Sequence, residues 1–389
     1  MLVLYLYLLF EFGYYLYCHI FIYRVLNTRC YTRNRRGLSK QLSGEINTHL
    51  KEYFTNEENL TKYLTDSFPN RDLITIENIR KVLSYHIHNT HPNKDDIICD
   101  DSVNEIVDII KSRADSLICP DGCRTNNRNI SYHFMTNKLQ YIHKPFAFYT
   151  FAYFVRRIVN FYMYRLGFTN IIDPLLNLRV WIKYNSGATN KTPLVFIHGV
   201  GCGIIPYISK IQELSRDRRT LLVLELPNIS YDLYKFPPPS HDELVTSLYN
   251  ILVKLGIELV DITGHSYGTV ILNVFQIKYP HMCNYKTYIE NGCFYIHATH
   301  FIDKIPRDNI FNYIRTIIVY NDIYIQFIIN RCTFVENTLI KNLDDKTTII
   351  LAKDDELIPS YYIHKYITTH YPQVRVEIVD GKHGTYVFG

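Results

Sequence analysis

Gly264-His265-Ser266-Tyr267-Gly268 lies directly between the apolar run LVDIT and the helix-like run TVILNVFQIKY. A strand that turns at once into a helix must bend sharply at the serine. A glycine two residues to either side removes the side chains that would clash there. The bend presents the Ser266 hydroxyl at the carboxyl edge of a sheet, near the positive end of a helix, where it can act as a nucleophile. A hydroxyl does so near neutral pH only with a base and an acid that orients the base. Downstream, TTIILAK runs into Asp354-Asp355-Glu356-Leu357-Ile358-Pro359, and VRVEIVD runs into Gly381-Lys382-His383-Gly384. Flanking glycines let the second loop fold an imidazole over the sheet edge, so His383 is the predicted base, ahead of His364 and His370 on the preceding helix. The acid comes from the first loop.

Acyl transfer also needs two fixed donors for a tetrahedral oxyanion. Phe196-Ile197-His198-Gly199-Val200-Gly201-Cys202-Gly203 follows another apolar strand, and the Val200 and Tyr267 amides are the candidates. The same glycine string resembles a dinucleotide loop, for which Glu225 at the end of the next strand would be the ribose-binding acid. The elbow, acid and histidine in register make that the lesser reading.

The elements that must position these groups are legible as β-branched apolar runs at 179–184, 193–199, 220–227, 259–265, 285–294, 347–353 and 374–380, with helical lengths at 205–216, 241–255, 267–279 and 360–370. Strand and helix in alternation predict a mostly parallel sheet covered on both faces, an α/β fold. About fifty residues between the fifth and sixth of these regions, near 295–345, form an expected cap rich in Ile, Tyr and Phe, suited to a greasy substrate.

Over residues 178–389 the sequence resembles the α/β-hydrolase superfamily. The strings VFIHGVGCGIIPY, LELPNIS and GHSYGT, with the aromatic helix ending in LGF, resemble a membrane-associated eukaryotic branch well represented in fungi. The resemblance implies an acid loop reading Asp-x-apolar-apolar-Pro. Only Asp355 stands four residues before Pro359, so the implied triad is Ser266, Asp355 and His383, with Asp354 as the fallback acid. Two departures accompany it: no Asp-x-x-Gly string follows the strand at 220–227, and only six residues follow His383.

The 389 residues include 42 Lys and Arg against 37 Asp and Glu, a formal charge of +5. Six of the positive charges fall within 24–40, and the single acid upstream is Glu11, so the chain from Gln41 on is neutral. Nucleic acid is excluded as a partner on that ground, because phosphate neutralisation needs a local cationic surface. The basic stretch instead fits anionic lipid headgroups. Immediately before it, residues 2–23 are almost continuously apolar and would extend ~33 Å as a helix, enough for a ~30 Å hydrocarbon layer. Glu11 costs ~3 kcal/mol there, which twelve Leu, Val, Ile and Phe at ~0.3–0.6 kcal/mol each outweigh. The flanking charge predicts a single-pass anchor with the catalytic domain in the cytoplasm. A signal peptide fits less well, because no basic leading segment or small-x-small cleavage site is present.

The expected organisation is therefore an anchor at 1–23, a basic linker at 24–44, a helical accessory region at 45–144, an amphipathic aromatic helix at 145–168 and the hydrolase domain at 178–389. Arg156 and Arg157 make a membrane crossing by 145–168 unfavourable by ~5–7 kcal/mol, so that helix either lies in a membrane surface or packs on the catalytic domain. The nine scattered cysteines show no metal-ligand spacing, and Cys119 and Cys123 read as loop cysteines, so neither metal nor cofactor is expected. The predicted activity is cleavage of a carboxylic ester or thioester, with a catalytically silent membrane scaffold or an acyltransferase using the same triad as alternatives. Asn-x-Ser/Thr sites at Asn59, Asn129, Asn190 and Asn228 would report the orientation.

Overall fold

The computed structural model describes residues 1–28, 39–68, 70–88, 98, 100–120, 139, 141–185, 191–231, 238–294, 310–333, 335–340 and 343–388. Arg29, Arg33, Arg35, Arg36, Cys123, Asn129, Asn190 and residues 295–309 of the expected cap lie outside them.

Eight strands form one sheet: β1 (Thr169–Asp173), β2 (Leu178–Lys183), β3 (Leu194–Ile197), β4 (Leu221–Glu225), β5 (Val260–His265), β6 (Cys283–Ile289), β7 (Thr347–Ala352) and β8 (Arg375–Val379). Their order is β1-β2-β4-β3-β5-β6-β7-β8. β2 pairs antiparallel with both β1 and β4, and every other pairing is parallel. All residues of β3 and β4 are buried, which is why these strands read as unbroken apolar runs. β1 lies outside the apolar runs of the sequence. Its TNIID sequence is half-exposed at the sheet edge, and it extends the sheet upstream of residue 178.

From β3 the chain moves first to β4 on one side and then to β5 on the other, so β3 and β5 flank the point where strand order reverses. Loops leaving two such strands part to opposite faces and open a crevice at their carboxyl ends. The sequence places the glycine string after β3 and the serine elbow after β5, so topology alone brings them together.

The helices in chain order are α1 (Leu2–Tyr17), α2 (Arg24–Thr28), α3 (Lys40–Tyr53), α4 (Glu57–Ser67), α5 (Ile76–His88), α6 (Asp101–Ala114), α7 (Phe146–Arg165), α8 (Ile208–Leu214), α9 (His241–Lys254), α10 (Tyr267–Lys278), α11 (Ile310–Arg315), α12 (Ile323–Phe327), α13 (Val335–Thr338), α14 (Ser360–His370) and α15 (Thr385–Phe388). A π-helical stretch, Cys18–Tyr23, joins α1 to α2. Leu2–Leu26 is the one helical segment among the described residues long and apolar enough to cross a membrane. Its exit half packs on protein: Cys18, Tyr23 and Leu26 are buried with Leu139, Ile323, Phe327 and Cys332.

α3 to α6 share a core of their own around Ile46, Leu50, Leu60, Leu83 and Ile106. Ser39, Asn56 and Asp100 cap α3, α4 and α6 through side-chain oxygens, each satisfying an amide the helix cannot pair. This bundle meets the sheet domain at α14, with Tyr53 edge-on to Tyr362 at 4.8 Å, His49 edge-on to Tyr366 at 4.9 Å, and His370 Nε2 2.7 Å from Glu52. His86, inside the bundle, is fully buried, and burial lowers its pKa to about 3, so it is a neutral core histidine.

Candidate active site

Ser266, one residue beyond β5, sits in the left-handed region, at φ 51° and ψ −121°, and no side chain caps the helix that follows. A non-glycine residue held there stores strain, and the packing around it keeps it in place. A Cβ on Gly264 would stand 2.6 Å from the Gly268 carbonyl oxygen, and a Cβ on Gly268 would collide with the Ile197 carbonyl at the end of β3. The two glycines therefore let α10 start within backbone contact of both strands.

Ser266, Asp355 and His383 lie in one hydrogen-bonded line. Ser266 Oγ is 3.0 Å from His383 Nε2, and His383 Nδ1 is 2.9 Å from Asp355 Oδ2. The other carboxylate oxygen of Asp355 accepts the Leu357 and Ile358 amides at 2.8 and 2.9 Å, so the loop fixes the acid's rotation. The His383 amide donates to Glu356 at 3.2 Å. Asp354 is exposed, and its amide bonds Gly381. Burial of the His383 ring works against its charged form. The hydrogen bond and charge of Asp355, aided by the charges of Glu290 and Glu356, overcome this and hold its pKa above the ordinary value. With Nδ1–H committed to Asp355, Nε2 is the acceptor that faces the serine, a tautomer assigned from this network.

The loop after β3 presents three successive amides. Gly199 N–H donates to the Tyr207 hydroxyl at 2.9 Å, and Gly201 N–H donates to the Ile229 carbonyl at 3.2 Å. Val200, between them, has no hydrogen-bond partner among the described residues. The Tyr267 amide opens α10, where a helix has no internal acceptor for it. A Cβ at Gly199 would stand 3.0 Å from the Ser266 Cβ, so the loop lies against the elbow. His198 staples its base: Nδ1–H bonds the Gly199 carbonyl at 2.6 Å and Nε2 accepts the Leu226 amide at 2.9 Å. Burial lowers its pKa to about 4, keeping it neutral.

Glu225, the acid a dinucleotide would require, is occupied by the protein. It accepts from Trp181 Nε1 at 3.1 Å and from Arg179 at 3.3 Å, and pairs with Arg156 at 3.6 Å. That leaves no acceptor positioned for a ribose.

A second carboxylate, with no signal in the sequence, also faces His383. Glu290, fully buried one residue beyond β6 at φ 48°, places Oε2 3.4 Å from His383 Nδ1 and 2.8 Å from His265 Nε2, and accepts the Gly384 amide. His265 Nδ1 in turn lies 2.7 Å from the Tyr207 hydroxyl. Donation runs one way along this chain, from Gly199 N–H to Tyr207, to His265, to Glu290. Burial lowers the His265 pKa despite its acidic partner, so His265 is neutral. Burial disfavours charge on Glu290 too, but its hydrogen bonds from His265 and Gly384 and the nearby rings prevail, and its pKa falls below the usual value. A lone Glu after an apolar strand carries no signal of this, because its meaning depends on β5, β6 and β7 being neighbours.

The cap reaches the site through Tyr231, whose hydroxyl donates to the Ile318 carbonyl at 3.0 Å, and through Val319, 4.0 Å from where a Cβ on Gly201 would lie. Asp322 ties the cap to α7. One oxygen caps α12 through the Tyr324 and Ile325 amides, and the other accepts from Tyr149 at 3.0 Å and Lys144 at 3.4 Å.

No family profile matches the chain. Curated relatives include the (lyso)-N-acylphosphatidylethanolamine lipase of Bos taurus, 32% identical over 111 residues, which are 26% of this chain and 31% of that protein. The 1-acylglycerol-3-phosphate O-acyltransferase ABHD5 of Homo sapiens is 25% identical over 124 residues, 29% of this chain and 33% of that one. The chain thus spans about a third of the length of the curated relatives it matches. Among solved structures, the 2-hydroxy-6-oxo-6-phenylhexa-2,4-dienoate hydrolase of Rhodococcus sp. strain RHA1 is 14% identical, covering 57% of this chain and 92% of that chain at a TM-score of 0.43.

Proposed function

We propose, on the premise that this chain belongs to the α/β-hydrolase superfamily, that it is a membrane-bound serine hydrolase cleaving a carboxylic ester or thioester of a lipid. The observation that carries the reading is the line Ser266–His383–Asp355, with contacts of 3.0 and 2.9 Å. Ser266 Oγ attacks the acyl carbon while its proton passes to His383 Nε2, and Asp355 holds the imidazolium that forms. The Val200 and Tyr267 amides take the oxyanion. On collapse, the leaving alcohol or thiol receives the proton from Nε2, leaving an acyl-serine. Water, deprotonated by the same nitrogen, then attacks the acyl carbon, and the acid departs as Ser266 regains its proton.

Residues 178–389 carry the chemistry in this reading, with β1 added at the edge; 45–144 form an accessory bundle and the N-terminal apolar helix is the anchor. The basic residues that follow it face anionic headgroups on the cytoplasmic side. A lipid substrate is supported by the names of the two relatives, a lipase of N-acylphosphatidylethanolamine and an acyltransferase of an acylglycerol phosphate. The second name also favours a variant in which an alcohol replaces water as acyl acceptor. Product analysis with and without a lysolipid acceptor separates the two.

Labelling with a fluorophosphonate probe tests the main reading. Folded wild-type protein is expected to label and Ser266→Ala is not. Equal labelling of both, or none of the wild type, refutes it in favour of a silent scaffold.

A further inference from the structure

α7 and the N-terminal helix meet where their sequences gave no reason to pair them. The Glu11 carboxylate accepts the amides of Phe146 and Ala147, each at 2.9 Å, satisfying two donors that the start of α7 cannot pair internally. Phe10 and Tyr14 pack edge-on against Phe146 at 5.0 and 5.3 Å. Beyond this junction the N-terminal helix runs into protein, with Cys18, Tyr23 and Leu26 buried. Ahead of it, Leu2 to Phe10 are exposed. α7 itself presents Phe151, Phe154, Ile158 and Phe161, each between 60 and 69% exposed, at spacings that put them on one face. Its opposite face buries Tyr149 and Met163 and turns Arg156 toward Glu225 and the Ser230 carbonyl.

We propose that the N-terminal helix descends into the acyl region of a bilayer from its junction with α7, and that α7 lies along the headgroup–acyl boundary with its Phe151–Phe161 stripe in lipid. The inference rests on the reading of the chain as a membrane-bound enzyme. From Phe10, at the junction, to Leu4 the helix rises ~9 Å, which carries Leu4 well below that boundary. A deeper seating would draw the start of α7 toward mid-depth together with the non-helical residues 141–145, where Ile142 is 42% exposed. Irregular backbone facing lipid does not occur there. The bilayer is the occupant of the stripe because the exposed apolar helix is clamped to the same end of α7 and brings its solvent with it. Arg157 and Arg165, both exposed on α7, are placed for anionic headgroups.

The placement also orients the site. The inner face of α7 touches the loops around it, with Arg156 bonded to Ser230 and Phe148 edge-on to Tyr231 at 5.3 Å, while Tyr231 contacts the cap. A lipid ester therefore reaches Ser266 from the leaflet in which the enzyme sits.

Full-length protein carrying Phe154→Trp or Leu4→Trp, bound to phosphatidylcholine–phosphatidylserine vesicles, tests this by quenching from lipids brominated near the carbonyl or near the chain end. Both positions face outward, and the native Trp181 is buried and supplies a constant background. Phe154→Trp is expected to lose its added emission to the shallow bromine, and Leu4→Trp to the deep one. Vesicle-bound protein in which Leu4→Trp is quenched mainly by shallow bromine does not send this helix into the acyl region, and bound protein with an unquenched Phe154→Trp holds α7 off the membrane. Either result overturns the placement alone. Failure of the wild type to sediment with vesicles overturns the membrane-bound reading and the placement with it.

Discussion

Replacing Glu290 by Gln removes one charge from the site while nearly keeping the side chain's shape. Glu290 Oε2 stands 3.4 Å from His383 Nδ1. Two unit charges at that separation interact by ~5 kcal/mol at an effective dielectric constant of ~20, and by ~1 kcal/mol in water. That charge, behind the larger effect of Asp355, favours the imidazolium and helps hold the His383 pKa above its ordinary value. The sign follows from the base's role: neutral His383 accepts the serine proton, so activity falls as pH drops through its pKa. Glu290→Gln destabilises the imidazolium and should move the acid limb of the kcat/KM profile to lower pH. The assay is hydrolysis of a short soluble ester across pH, with thermal melting to confirm the fold. An acid limb that stays in place while the alkaline plateau is intact refutes the electrostatic argument. Loss of the plateau itself would make Glu290 the orienting acid in place of Asp355.

Asp355→Asn should lower kcat by about 10⁴-fold, since the imidazole then loses the acceptor that fixes its tautomer, with labelling by the fluorophosphonate slowed in parallel. Gly268→Ala places a methyl against the Ile197 carbonyl, and should destabilise the fold by ~1–3 kcal/mol or more in urea titrations. Asp322→Ala leaves the Lys144 ammonium buried without its partner and uncaps α12, a loss of about 3–5 kcal/mol measurable by the same titration. A smaller loss for Asp322→Asn, which keeps the cap, would assign the remainder to the ion pair.

Ser266, the loop after β3, and His383 could be read from the sequence because local sterics dictate them. The elbow admits no Cβ at 264 or 268, and parallel strands buried on both faces appear as continuous apolar runs. Glu290, His265 and Tyr207 could not be read, since their partnership needs the strand order, and Tyr207 and His265 are 58 residues apart. Lys144 and Asp322 are 178 apart. Arg156 and Arg157, neighbours in the sequence, diverge: the first is half-buried against Glu225, and the second is exposed and bonded to Tyr153. By sequence alone Glu11 is an unpaired charge in an apolar run, while the fold gives it two amides and the Tyr7 hydroxyl. β1 escaped notice because an edge strand open to water need not be apolar.

α14 begins at Ser360, directly after the loop that holds Asp355, and its outer side is covered by the helical bundle through Tyr362, Tyr366 and His370. A chain trimmed to the residues that carry the chemistry would leave those rings in water and the acid's loop without its backing. It would also strip β1 and α7 from the other end of the sheet. Any shorter piece worth expressing therefore reaches back at least to the Ser39 cap of α3, far upstream of the first catalytic strand. Amides of α3 and of the 355–359 loop should exchange with solvent as one cooperative unit.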